Sequence, residues 1–159
     1  MEKMNKMDIK NKIIVSQVMM PHQANLEGNV HGGEIMKLMD TAAAAAAQRY
    51  SKTNCVTARV DELEFHLPIF VGALVTYTAY VVYVGNTSME VFVSVSVEDL
   101  ESYRPPQHAL SAYFTIVSMG KDGRPKPVKP YTPETEDEIR MYNEAMSRRA
   151  LKNKNTNVE

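Results

Sequence analysis

The sequence predicts an α+β domain in which an antiparallel sheet wraps around one long apolar helix, with a second helix at the C-terminus. Three observations carry this prediction. A long apolar stretch with Ile35, Met36, Leu38 and Met39 runs into six consecutive alanines, Ala42 to Ala47. Later segments read as extended, most clearly residues 88–100, where Val91, Val93, Val95 and Val97 alternate with Phe92, Ser94, Ser96 and Glu98. That is the period of a strand with one face in a core. The third is a charged, proline-initiated segment near the C-terminus with helical character. Alanine favours helix on its own account, and its small side chain also lets a sheet close tightly around the rod. One buried helix against an antiparallel sheet is a standard layer arrangement.

The elements follow in order. Residues 1–12, "MEKMNKMDIKNK", read as a flexible arm. "IIVSQVMM" (13–20) is β-rich and is ended by Pro21, so it is the first strand. A polar, glycine-containing loop leads to a helix beginning near Gly32 or Gly33, with Asn54 as its stop. Four strands are then expected as a meander: 56–66, ended by Pro68; 73–85, closed by Gly85-Asn86; 88–100; and 109–119, ended by "GKDGRPKPVKP". From Pro133 a helix is expected to residue 152, with Thr132 as N-cap, acids in its first turn and bases in its last. The domain therefore spans 13–152, with a core of 13–120, an extension and helix over 121–152, and a frayed tail of 153–159.

At 159 residues the chain is long enough for one domain with a substantial core. A net charge of −1 gives no nucleic-acid footprint and no polybasic membrane contact. A single cysteine, Cys55, excludes an internal disulfide and suits a reducing compartment; it reads as a small apolar residue at a strand start. The N-terminus lacks the apolar run of a signal peptide, and no apolar stretch reaches membrane-spanning length. A cytoplasmic location is expected. His22, His31, His66 and His108 show no metal-ligand spacing, so no metal site is expected.

One residue breaks the pattern. Asp40 stands in the middle of the apolar helix, where an unpaired carboxylate in apolar surroundings is costly. Either it faces water or it has a chemical task.

Three motifs identify the chain's resemblance: "NLEGNVHGGEIMKLMD" at the loop and helix, "ARVDELEFHLPIFVGALV" across the second and third strands, and "VGNTSMEVFVSV" at the next hairpin. Together they resemble the hotdog-fold acyl-CoA thioesterases of the broad-specificity bacterial and cytosolic acyl-CoA hydrolase type, over roughly residues 13–120. The resemblance implies a five-stranded sheet around a central helix and hydrolysis of acyl-CoA to free coenzyme A and a carboxylic acid. No cofactor is implied, coenzyme A being part of the substrate. Asn25 and Asp40 are implied as the catalytic pair, with Gly32 or Gly33 giving a backbone amide to the thioester oxygen. The implied working unit is a homodimer, assembled in some members into a tetramer or a trimer of dimers.

The chemistry of these residues fits. The first turn of a helix offers unpaired N–H groups and a favourable dipole, and glycine allows close approach, so "HGG" is a credible oxyanion hole. Asp40 can act as general base or as nucleophile. Asn25 can position water or the thioester. Gly32 and Asp40 are eight residues apart, or ~12 Å along one helix. One carbonyl cannot reach both, so sharing a thioester requires Asn25 and Gly32 from one chain and Asp40 from its partner. A dimer would also cover open sheet edges.

Other candidates are weaker. His31 adjoins the glycines and suits loop positioning more than chemistry. Thr87 and Ser88 sit in a hairpin whose Gly-Asn favours positive φ, and the resemblance makes them candidates for coenzyme A contact. Arg59 and Asp61 lie two apart on one strand and suit a surface ion pair. Arg148 and Arg149 end a helix, where cations are favoured anyway, but arginine also matches phosphate. Two rival functions remain. A hydratase or dehydratase on this fold uses a histidine with a carboxylate in a D-x-N-x-x-H run, which is absent. A non-catalytic acyl-CoA sensor would be expected to lack the carboxylate or to carry a DNA-binding module, and twelve N-terminal residues are too few for one. Asp40→Ala separates these classes: an enzyme loses turnover but keeps acyl-CoA binding.

Overall fold

The computed structural model describes residues 9–156. In chain order it contains β1 (Ile13–Val18), α1 (Gly32–Ser51), β2 (Asn54–Phe65), β3 (Leu74–Val84), β4 (Ser88–Glu98), β5 (Gln107–Met119) and α2 (Glu136–Thr156), with a single 3-10 turn at Pro21–Gln23. The five strands form one antiparallel sheet in the order β1-β3-β4-β5-β2. This is the hotdog arrangement.

The order corrects the expected four-strand meander. Only β3, β4 and β5 run as consecutive hairpin partners. β2 crosses to the far edge and pairs with β5, from Asn54↔Met119 to Phe65↔Leu110, while β1 takes the place beside β3. Period-two patterning tells which face of a strand is buried; it does not carry the identity of the neighbouring strand.

α1 lies on the inner face. Ile35, Met39, Ala42, Ala43, Ala46 and Ala47 are buried and share one core with Tyr77, Ala79, Val91, Val93, Phe114 and Ile116 of the central strands. The alanines meet the sheet directly, and larger side chains there would overpack it by about 1–3 kcal/mol. Only one side of the rod is enclosed. Gly33, Met36, Lys37, Asp40 and Thr41 face outward. The helix ends with Lys52, not Asn54, as the left-handed cap (φ +59), its N–H donating to Gln48 O at 2.8 Å. Lysine is poorly suited to that conformation, so this stop left no sequence signal.

α2 packs on the outer face, where Ile9, Tyr80, Val82, Met141 and Ala145 form a second apolar cluster. Its start is also corrected: Thr135, not Thr132, caps it. Glu138 N–H donates to Thr135 Oγ1 (3.1 Å) and Thr135 N–H to Glu138 Oε2 (3.2 Å), a reciprocal capping box written in the sequence as Thr-Glu-Asp-Glu. Of the expected N-terminal arm, residues 1–8 lie outside the described residues. Ile9 is buried, and the backbone N–H of Lys10 donates to Glu138 Oε1 at 3.1 Å. At the other end the helix continues through Thr156, past the expected limit of 152; residues 157–159 are outside the described range.

Candidate active site

The site is built on the exposed side of α1 and on β2 beside it. The loop before the helix is shaped by Asn25. Its Oδ1 accepts from the backbone N–H of Glu27 (3.0 Å) and of Asn29 (3.1 Å), and its own N–H donates to Asn29 O (2.7 Å). Gly28 completes the turn at φ +83, a conformation that favours glycine. Both acceptor directions of the Asn25 side chain are thereby used. Its Nδ2 group has no acceptor among the described residues, so Asn25 is presented as a donor.

The chain then enters α1 through His31, whose side chain makes no cap and whose O accepts from Glu34 and Ile35. The N–H groups of Gly32 and Gly33 have no acceptor among the described residues, as the first turn of a helix requires. Phe65 walls this end: a Cβ on Gly32 would lie 3.4 Å from its ring. Two turns on, Asp40 stands on the same exposed side. Its Oδ1 accepts from Thr57 Oγ1 of β2 at 2.5 Å. β2 thus runs antiparallel to α1, with Phe65 at Gly32 and Thr57 at Asp40.

Thr57 is the residue that the sequence reading missed. Its aim depends on a β-bulge at Ala58: Thr57 pairs with Ile116, but Arg59 pairs with Thr115. Strict alternation would put Thr57, Arg59 and Asp61 on one face. The extra residue instead turns Thr57 toward α1, opposite the buried Ile116, and sends Arg59 and Asp61 to the outer face. The only available sequence signal was a threonine two residues before an arginine, which is too weak to find a bulge.

The remaining candidates are dispersed. Arg59 Nε and Lys152 Nζ both bind the Asp61 carboxylate, at 2.7 and 2.6 Å. Burial pushes the Asp61 pKa up, but hydrogen bonds from Lys152 and Arg59, and their charges, outweigh it and hold it below the usual value. Arg148 is tied to the buried carboxylate of Glu90 and lies over the Tyr113 ring at 3.7 Å. Arg149 stacks on Tyr83 at 4.6 Å and reaches the hairpin of Thr87 and Ser88, where a Cβ on Gly85 would lie 3.4 Å from its guanidinium. No carboxylate pairs with Arg149 among the described residues. Thr87 O accepts from Ser118 at the end of β5, so this hairpin lies toward the start of β2, away from Gly32 and Phe65. No group of His, Cys, Asp and Glu among the described residues has the arrangement of a metal site.

Comparison with known proteins places these features in a family. The thioesterase superfamily model matches residues 27–103. Protein VdlD of Helicobacter pylori is 40% identical, the match covering 90% of this chain and 81% of that protein. The acyl-CoA thioester hydrolase YkhA of Bacillus subtilis, itself uncharacterized, is 34% identical over 87% of this chain and 80% of its own. The human cytosolic acyl coenzyme A thioester hydrolase is 42% identical over 80% of this chain, which spans 34% of that longer protein. Among solved structures, an apo-hexameric acyl-CoA thioesterase superposes with a TM-score of 0.86 at 29% identity, covering 94% of this chain and 95% of its own. The acyl-CoA hydrolase of Bacillus cereus gives 0.84 at 32%, covering 92% and 88%. That of Staphylococcus aureus gives 0.77 at 30%, covering 92% of each chain; it was solved with butyryl coenzyme A, coenzyme A and coenzyme A disulfide. It was also solved as variants with an aspartate, an asparagine or a threonine replaced by alanine.

Proposed function

The chain belongs to the acyl-CoA thioester hydrolases of the thioesterase superfamily, and from that premise we propose that it cleaves acyl-CoA at two sites shared across a homodimer. The observation that carries the reading is the exposed side of α1. It presents the free N–H groups of Gly32 and Gly33 at one end and, two turns away, a carboxylate held by Thr57.

In this reading the thioester oxygen lies at the Gly32 and Gly33 amides, where a developing oxyanion meets unpaired donors and the positive end of the helix dipole. Asn25 Nδ2 adds a side-chain donor. Asp40 acts as general base: it takes a proton from water as the water oxygen attacks the carbonyl carbon. The tetrahedral intermediate then collapses, the C–S bond breaks, and the thiolate of coenzyme A leaves and is protonated. Because Gly32 and Asp40 of one helix are ~12 Å apart, the base for each oxyanion site is the partner subunit's Asp40. β2 supports this pairing as an exposed edge strand of 12 residues with Val56, Val60 and Phe65 uncovered, beside an equally exposed Met36. Such an edge invites a second copy.

The relatives add support. In the S. aureus hydrolase the replaced asparagine precedes the replaced aspartate by 15 residues and the aspartate precedes the threonine by 17, matching Asn25, Asp40 and Thr57 here. Hexameric neighbours favour assembly of the dimer into a trimer of dimers. For the coenzyme A phosphates, Arg149 with Thr87 and Ser88 is the favoured contact, since Arg59 and Arg148 already hold carboxylates. A cytosolic relative and the lack of any described helix fit to cross a membrane favour a cytoplasmic location.

The test is complementation. Asn25→Ala and Asp40→Ala proteins, each inactive on acyl-CoA with a free-thiol readout, are mixed under conditions of demonstrated subunit exchange. Mixed dimers should regain one intact site. Absence of recovery would count against sharing, and absence of wild-type turnover on every acyl-CoA would point to a sensor.

A further inference from the structure

We propose that the cavity beside Gly32 is the acyl-chain compartment and that Leu67 limits the chain length it accepts. This rests on the reading of Gly32 as an oxyanion donor.

The cavity, of about 400 Å³, runs from Gly32 and Ile35 past Phe65 to Leu67, Pro68 and Ile69. It begins where the thioester carbonyl would bind, because the Phe65 ring that walls it is also the group closest to Gly32. Its lining contains no lysine, arginine or carboxylate, so it has nothing to hold the phosphates of coenzyme A. Arg149, which no carboxylate holds among the described residues, is instead at the hairpin toward the other end of β2. Asn29 and His66 are its polar members; the rest of the wall, Val30, Ile35, Phe65, Leu67, Pro68 and Ile69, suits a hydrocarbon tail. At about 30 Å³ for each water-sized group, the space takes roughly a dozen heavy atoms, which is a short to medium acyl chain.

Leu67 and Pro68 line a second, larger groove as well, of about 950 Å³, between the β2–β3 and β4–β5 connections, with Phe70, Val71 and Leu100 on one part of its walls and Asp99, Glu101 and Arg104 on another. Leu67, packed against the main core, lines both spaces and is the side chain we assign as the divider between them. Shortening it should join them and admit longer chains; enlarging it should shorten the first.

The experiment measures kcat/KM across acyl-CoAs from acetyl to palmitoyl for the parent, Leu67→Ala and Leu67→Phe. One methylene in such a pocket changes discrimination by about 10- to 200-fold. Leu67→Ala should raise the palmitoyl-to-butyryl ratio at least about tenfold. Leu67→Phe should lower the medium-chain-to-acetyl ratio by a similar factor. If Leu67→Ala does not fold, Leu67→Val and Leu67→Phe carry the test. The proposal is overturned if the chain-length profile is the same in all variants. It is also overturned if KM moves equally for every chain length together with inhibition by free coenzyme A, because the cavity would then hold the coenzyme A portion. A parent that is inactive on all substrates removes the hydrolase reading itself, a result distinct from these.

Discussion

The Thr57 hydroxyl on β2 donates to Asp40 Oδ1 on α1 across 2.5 Å, linking the edge strand to the helix at the carboxylate in its middle. Asp40 is exposed in the single chain, and this bond keeps one of its oxygens in a fixed direction. The second oxygen is left to meet water.

Asp40→Ala should lower kcat by about 10²- to 10⁴-fold, the usual range for loss of a general base, while acyl-CoA binding by calorimetry stays intact. Thr57→Val should cost less, about tenfold in kcat with KM little changed, and Thr57→Ser should recover most of that loss. Equal loss in the serine and valine variants would show that the hydroxyl is irrelevant.

A single turnover in ¹⁸O-labelled water tests for a nucleophilic Asp40 whose mixed anhydride is opened by water at the aspartyl carbon. With Asp40 as base, the released acid carries label from the first turnover. Unlabelled acid accompanied by label on Asp40 would make it the nucleophile.

The Glu90–Arg148 pair joins β4 to α2 with Glu90 almost wholly buried. Removing one partner of such a pair costs about 3–5 kcal/mol. Arg148→Met should therefore lower the denaturation midpoint sharply. The double variant Glu90→Leu with Arg148→Met should regain much of the loss, as measured by urea unfolding.

Glu138 predicts a pH dependence. Burial pushes its pKa up, but backbone N–H groups of Glu134, Lys10 and Thr135 outweigh this, and the folded-state value lies below the ordinary one of 4.5. A carboxyl whose pKa is lowered by folding stabilises the protein above its unfolded pKa, and the contribution disappears as pH falls through the folded pKa. Glu138→Gln should cost about 1–3 kcal/mol at neutral pH. The gap in Tm from the parent should close below pH 4.5; a gap constant with pH would refute the charge argument.

Glu62 holds a left-handed backbone, φ +57, where β2 and β5 slip register a second time. Glu62→Gly should be neutral or stabilising by up to about 1 kcal/mol, whereas Glu62→Val should destabilise by more. Thermal melts would decide the sign.

Much of this molecule was legible in local pattern. The alternation of Val91, Val93, Val95 and Val97 announces β4 and its buried face: the first three are in the main core and Val97, half-buried, packs against it. The placing of Asp40 in the middle of α1 is what singles it out in the sequence as a candidate. Turn chemistry is less legible: Thr132 before Pro133 offers itself as N-cap three residues ahead of the true Thr135 capping box, and Lys52 gives no warning of a left-handed cap.

The sequence by itself determined the helices and strands, the family and the suspect residues around Gly32 and Asp40, because helix and strand periods and the placement of odd polar groups are local properties. Tertiary structure alone decided that β2 leaves its neighbour in sequence for the far edge, that a bulge at Ala58 turns Thr57 toward Asp40, and that Arg148 meets Glu90 while Arg149 meets Tyr83. Those outcomes depend on which distant segments share a wall, and that is settled by the competition of whole strands and helices for apolar cover rather than by any short run of residues.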